Sequence, residues 1–230
     1  MRRSLIMASA LILLTGAFAP AFSAVIDTGA AEFIRSLGNQ GLRVIRSDMA
    51  PAQKMATFHQ LLDQDFDMPA ISRFVLGPYW RAASPGERQE FMRLLADDLV
   101  RFYNRRFTQY RGESVQVTGS RPTPAGIIVK SQIIRPDAPP IQVDWQLGVE
   151  SGLYKVSDVI VDGVSMAVSE RATFAQQIAA NGGQVTGLLA HMREATFADA
   201  PPGVPYPAAG SPYPAAGVPY QPAAPVPPIR

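Results

Sequence analysis

Apolar positions recur at helical spacing along the first third of the chain and at every second position further on, and that change of period sets the architecture. Phe33, Ile34, Leu37, Leu42, Val44 and Ile45 mark a helix over about Thr28 to Ser47. Met55, Phe58 and Leu62 mark a second over about Pro51 to Leu62, opened by Asp48, and a short third follows Asp67 and Pro69 and stops at Gly77 and Pro78. The longest helix starts at Ser84-Pro85-Gly86-Glu87, a serine cap with glutamate three residues on and proline at the first helical position. It is predicted to reach about Tyr110 with a buried stripe of Phe91, Leu95, Leu99 and Phe102, and with Leu94 and Tyr103 on its shoulders.

Strands are predicted near Glu113 to Ser120, Ile127 to Arg135, Ile141 to Val149 and Leu153 to Val161, joined by short turns that suit an antiparallel meander. The third is the clearest, with Ile141, Val143, Trp145, Leu147 and Val149 alternating with Gln142, Asp144, Gln146 and Gly148. Helical spacing resumes near Ser169 with Phe174 and Ile178, breaks at Asn181-Gly182-Gly183, and continues through Val185, Leu188, Leu189 and Met192. Helices, then strands, then helices describe one α+β domain.

The two ends differ from this body. Residues 1–24 place Arg2 and Arg3 before an apolar run from Leu5 to Gly16 and then small residues, the layout of a secretory signal peptide, with cleavage after Ala21, Ser23 or Ala24. The apolar run is shorter than the roughly 20 residues a bilayer span requires. Residues 25–198 form the domain. Residues 199–230 carry GVPYPAA, GSPYPAA and the variant GVPYQPAA, a proline-dense tail with almost no branched apolar residues to pack.

The chain holds no cysteine, so disulfides, thiolate chemistry and a lipid-modified cysteine are excluded. The formal charge is +2, but two of the 21 basic residues lie in the signal segment, leaving 19 against 19 acidic ones. With no basic run and no net field, nucleic-acid binding has little support. His59 and His191 show no metal-ligand spacing, and there is no G-x-S-x-G, phosphate loop or G-x-G-x-x-G. One carboxylate interrupts the strand pattern: simple alternation puts Asp158 on one face with Tyr154, Val156 and Ile160. An inward carboxylate in an apolar cavity has a raised pKa and can act as a general base; the other reading sets Asp158 at a strand irregularity or beside an arginine.

The segment FDMPAISRFVLGPYW over residues 66–80 is followed by RAASPGERQEF and LVRFYNRRFTQYRGE. PIQVDWQL, LYKVSDVIVDGVSMAVSERATFAQQI and NGGQVTGLLAHM come later in the chain. In this order and spacing the chain resembles the MlaC (toluene tolerance) family over about Val25 to Arg193. The resemblance implies an NTF2-like curved antiparallel sheet of about four strands, with helices enclosing a deep apolar cavity that takes phospholipid tails. It implies a monomeric periplasmic carrier rather than an enzyme, with no cofactor and no metal. The implied partners are an inner-membrane ABC transporter complex with a ring-shaped lipid-binding subunit and an outer-membrane lipoprotein with its porin, acting to maintain outer-membrane lipid asymmetry. A sister branch, the hopanoid-associated HpnM proteins, shares the domain, so a hopanoid is the alternative ligand. By inward parity and helix face the wall candidates are Phe74, Leu95, Leu99, Tyr103, Val129, Ile133, Val143, Trp145 and Met166. Two other classes remain open: a small-molecule isomerase or dehydratase using Asp158, and an interaction module in the repeated tail.

Overall fold

The computed structural model describes residues 27–107 and 110–198, so the signal segment and the proline-dense tail lie outside the described residues. Seven helices and five strands follow one another as α1 (Thr28–Arg46), α2 (Pro51–Asp65), α3 (Met68–Leu76), α4 (Tyr79–Ala82), α5 (Pro85–Phe107), β1 (Ser114–Thr123), β2 (Gly126–Arg135), β3 (Ala138–Glu150), β4 (Leu153–Val161), β5 (Val164–Ser165), α6 (Met166–Ala180) and α7 (Val185–Ala198). The expected α+β class and the meander both stand. The sheet is antiparallel in the order β1-β2-β3-β4-β5, one short strand more than expected.

Helix starts follow local chemistry. Asp27 caps α1 by accepting from the Ala30 amide at 2.9 Å, and Tyr154 donates to the same carboxylate at 3.0 Å. These bonds hold the Asp27 carboxyl below its ordinary range, with the Ala30 amide contributing most. The Asp27 amide in turn donates to Ser120 Oγ at 2.7 Å, so the head of α1 is tied to the sheet at two points. The capping box of α5 forms as read: the Glu87 amide donates to Ser84 Oγ at 3.2 Å and the Ser84 amide to Glu87 Oε2 at 2.7 Å. The start of α2 differs, because the residue before Pro51 is Ala50, whose amide donates to Gln53 Oε1 at 3.2 Å; Asp48 lies two positions too early to cap it.

Two apolar cores result. The inward face of the sheet, with Val129, Val143, Leu147, Val156 and Val159, packs against Ala30, Ile34 and Leu37 of α1 and Leu61 of α2. A helical core gathers Leu76, Phe91, Leu94, Leu95, Val100, Phe174, Ile178, Leu188 and Leu189 from α3, α5, α6 and α7. Phe58 and Phe66 pack against both. The Asp67 amide donates to the Val156 carbonyl at 2.9 Å, which pins the α2–α3 junction to β4.

The buried arc of α5 is wider than the expected stripe. Phe91 and Leu95 are buried, but so are Leu94 and Val100, while Leu99 is only partly buried. The helix meets α2 on one side and α3 and α7 on the other, so two faces lose solvent. Between α2 and α5 the buried groups include polar ones: His59, Asp97 and Arg101 are each 4% exposed or less. Arg93 donates to Asp97 Oδ2 at 3.0 Å, His59 Nε2 lies 3.4 Å from Asp97 Oδ1, and Arg101 donates to Asp98 at 2.7 Å. Burial, with Arg101 adding repulsion, pushes His59 down to about 4. Burial pushes Asp97 up to about 6 against the pull of Arg93 and Arg101.

These two shifts oppose each other in acid. Between pH 6.5 and about 4 the unfolded chain takes up a proton at His59 before the folded one does, which lowers stability. Between about 6 and 3.8 the folded chain takes one up at Asp97 first, which raises it. Urea unfolding midpoints followed from pH 6.5 to 4.5 are therefore expected to fall with pH in Asp97→Asn and to rise in His59→Gln, each by on the order of 2 kcal/mol in stability, with the parent chain between them.

Candidate functional site

A cavity of about 550 Å³ opens where the two cores meet and fail to close on each other. This lies within the roughly 300–1,000 Å³ of small-molecule sites. One wall is the second half of α1, with Leu37, Gly38, Gly41, Leu42 and Ile45. Phe58, Leu61, Leu62 and Phe66 form another, with Val100 of α5 beside them. The sheet supplies Val115, Ile133, Ile141 and Trp145. Tyr110, Arg111, Glu113, Arg135 and Asp137 gather at the strand ends and turns that form the rim. The charged lining residues thus all lie at strand ends and turns, whereas the lining from the helices and the middle of the sheet is apolar.

Two glycines on α1 shape this space. A Cβ on Gly38 would stand 3.2 Å from the side-chain carbons of Val115, tighter than ordinary contact, so glycine lets α1 lie close against β1. One turn on, a Cβ on Gly41 would find its nearest neighbour, the Phe58 ring, at 3.9 Å. The first glycine brings the helix to the sheet and the second leaves room between them.

Trp145 is held by its polar end. Its indole N–H donates to Ser131 Oγ at 2.9 Å, and that hydroxyl donates to the Val143 carbonyl at 3.0 Å. Ser131 is buried at 1% exposure on the inward face of β2. This satisfies the one polar atom of a large ring and turns the rest of it toward the cavity. At the rim Arg46 reaches from α1 to the other side: its Nε donates to Tyr110 Oη at 2.7 Å, and its guanidinium carbon stands 5.3 Å from the Tyr110 ring centroid.

Of the nine residues proposed from parity and helix face, Ile133 and Trp145 lie on the cavity wall. Val129 and Val143 share the inward face but are sealed in the sheet core, against which Met166 packs from its edge. Leu95 is buried in the helical core and Leu99 packs against it. Phe74 is 43% exposed on the outside of α3, with the Arg171 guanidinium 5.2 Å from its ring centroid. The side chain of Tyr103 lies outside the described residues. The α1 and α2 residues of the wall were not among the sequence candidates, and the only local hint was a glycine pair three apart on an otherwise apolar helix face.

The inward placement of Asp158 is overturned. The register of β3 and β4 shifts between Gln146 and Leu147, which pair with Asp158 and Val156, so Ser157 is an extra residue on β4. Tyr154, Val156, Val159 and Val161 all pack inward, and Asp158 passes to the opposite face. There it accepts from Ser165 Oγ at 2.5 Å and from the Ala167 amide at 3.0 Å, fastening the start of α6. A carboxylate behind the sheet and bound to a helix start has no access to the cavity.

Among the described residues no three His, Asp or Glu side chains converge as a metal site, and no helix is long and apolar enough to cross a membrane. A family model described as MlaC protein matches residues 36–194. The chain is also similar to a solved structure, that of a phospholipid-binding protein from Ralstonia solanacearum in complex with a phospholipid. The identity is 20% and the TM-score 0.63, over 72% of this chain and 95% of that one. At that identity the likeness shows the shared fold.

Ser131→Ala would leave the Trp145 N–H unpaired at the cavity wall, with an expected loss of about 1–3 kcal/mol. Fluorescence in a Trp80→Phe background, which isolates Trp145, is expected to report a ring released toward the cavity, and an unchanged unfolding midpoint would show that the indole has another partner.

Proposed function

Because the chain belongs to the MlaC family, we propose that it is a periplasmic phospholipid carrier that holds acyl chains in this cavity and leaves the headgroup at its charged rim. The observation that carries the proposal is the segregation of the site. Apolar side chains from α1, α2 and the sheet line the cavity, and every charged lining residue lies at a strand end or turn. An amphiphile has that same division.

A diacyl lipid leaving a bilayer alone exposes its chains at about 0.8 kcal/mol per methylene, on the order of 20 kcal/mol in all. A soluble protein lowers that cost only by offering apolar surface of its own. Export by residues 1–24 would place the carrier between two membranes. The proposal extends to exchange with an inner-membrane ABC transporter complex and an outer-membrane lipoprotein-porin complex, the partners that membership of the family brings with it. The family and the cavity together favour a binding protein over an enzyme. The isomerase reading has lost its base, since Asp158 fastens α6 on the far face of the sheet. A hopanoid remains the alternative occupant, because an apolar wall does not distinguish fused rings from acyl chains.

The test is extraction of the full chain, purified from the periplasm, with organic solvent, and identification of the released lipid by mass spectrometry. Gly41→Trp is the control, because that position faces open cavity. It should gain roughly 0.5 kcal/mol of helix propensity while losing most of its lipid. Stoichiometric phospholipid in the parent chain that disappears from the folded variant supports the carrier. Equal lipid in both would place the ligand elsewhere.

A further inference from the structure

We propose that Arg111 and Arg135 form a phosphate-binding subsite on the rim, so that the cavity retains lipids bearing a phosphate ester in preference to neutral amphiphiles with the same chains. This rests on the carrier reading and adds a headgroup preference to it.

The two arginines come together through the fold. Arg111 lies in the link between α5 and β1, and Arg135 closes β2, yet both line the mouth. A Cβ on Gly112 would stand 3.8 Å from Pro136 Cγ, so the residues that follow each arginine lie close together. Ser114 pairs with Ile134, which sets the two approaches side by side at the end of the sheet.

Their guanidinium groups are available in different ways. Arg135 donates through Nε and Nη2 to the Pro139 carbonyl at 2.9 and 2.5 Å, which fixes the plane of the group and leaves Nη1 unused. Arg111 is anchored by its backbone, whose amide donates to Glu113 Oε2 at 2.7 Å. Its side chain forms no hydrogen bond or ion pair among the described residues. Two carboxylates share the rim, Glu113 and Asp137. Glu113 is engaged by the Arg111 amide, and Arg46 adds a third guanidinium through the Glu113 carbonyl at 3.2 Å. A guanidinium fixed in plane with Nη1 unengaged, beside a second one with no partner among the described residues, offers donors to the oxygens of a phosphate ester. Both are exposed to water, so the preference is modest and screened by salt.

The recognised chemistry is a phosphate ester, which a lipid headgroup or a free phosphate could supply, and the experiment separates them. Lipid-stripped full chain is offered phosphatidylglycerol and diacylglycerol of identical chains at low salt, and bound lipid is counted by mass spectrometry. The parent chain is expected to retain phosphatidylglycerol over diacylglycerol roughly five- to tenfold. In Arg111→Gln with Arg135→Gln the ratio should fall close to one through loss of phosphatidylglycerol. Arg111→Gln alone touches no folded contact and should show an intermediate ratio, which keeps the test sound if the double variant unfolds. A ratio that survives in Arg111→Gln and in the folded double variant overturns the proposal. Displacement of phosphatidylglycerol by millimolar inorganic phosphate would also overturn it, assigning the arginines to free phosphate. Retention of neither lipid by the parent chain would instead sink the carrier reading itself.

Discussion

A single sheet with one apolar face has to bury that face, and in this protein α1 and Leu61 of α2 supply its buried cover, with Phe66 and Met166 packing at its β4 side. The remaining helices spend their apolar surface on one another, around Phe91, Leu94, Ile178 and Leu188. The molecule therefore has two cores, joined through Phe58 and Phe66. Close packing would normally eliminate the gap between them. It survives here because the α1 wall carries glycine at position 41, where a larger side chain would have filled it. The cavity is the unfilled remainder of that packing problem, which explains why its lining comes from every layer.

Such a gap removes contacts that would have stabilised the fold, and polar ties occur where the layers would otherwise separate. Asp27 binds the head of α1 to Tyr154 and Ser120 across the sheet. Lys155 donates to the Gln64 carbonyl at 2.6 Å, closing the end of α2 against β4. Glu90 and Arg193 form a two-bonded pair between α5 and α7 at 2.6 and 2.8 Å. The most costly tie is the His59–Asp97 contact with its arginines, because groups so fully buried must hold their protonation states against desolvation. It ties the α2 wall to α5 through residues that do not line the cavity.

The bulge at Ser157 changes the chemical meaning of β4. Strict alternation would have placed a carboxylate among Val156, Leu147 and Trp145, where its charge would have been costly and its basicity useful. One inserted residue restores an unbroken apolar face and turns Asp158 to the start of α6. The same register shift keeps the Asp158 carboxylate out of the cavity lining.

Most of the architecture was legible in the residues alone. The capping box at Ser84, the glycine and proline stops, and the switch from helical to alternating spacing are local, and each is settled within a few residues of chain. Caps and alternation act through backbone hydrogen bonds and short-range sterics, so helix and strand order followed from them and the resemblance to the MlaC family could be read directly. What tertiary structure alone decided was which apolar positions seal a core and which face an opening. Val129 and Val143 obey the same alternation as Ile133 and Trp145, but only the last two border the cavity. The burial of Asp97, the outward turn of Asp158 and the presence of Arg111 and Arg135 on one cavity likewise depend on packing and register between segments distant in sequence. Periodicity states that a side chain leaves water; whether it then meets another side chain or an empty space is set by the element that arrives opposite it.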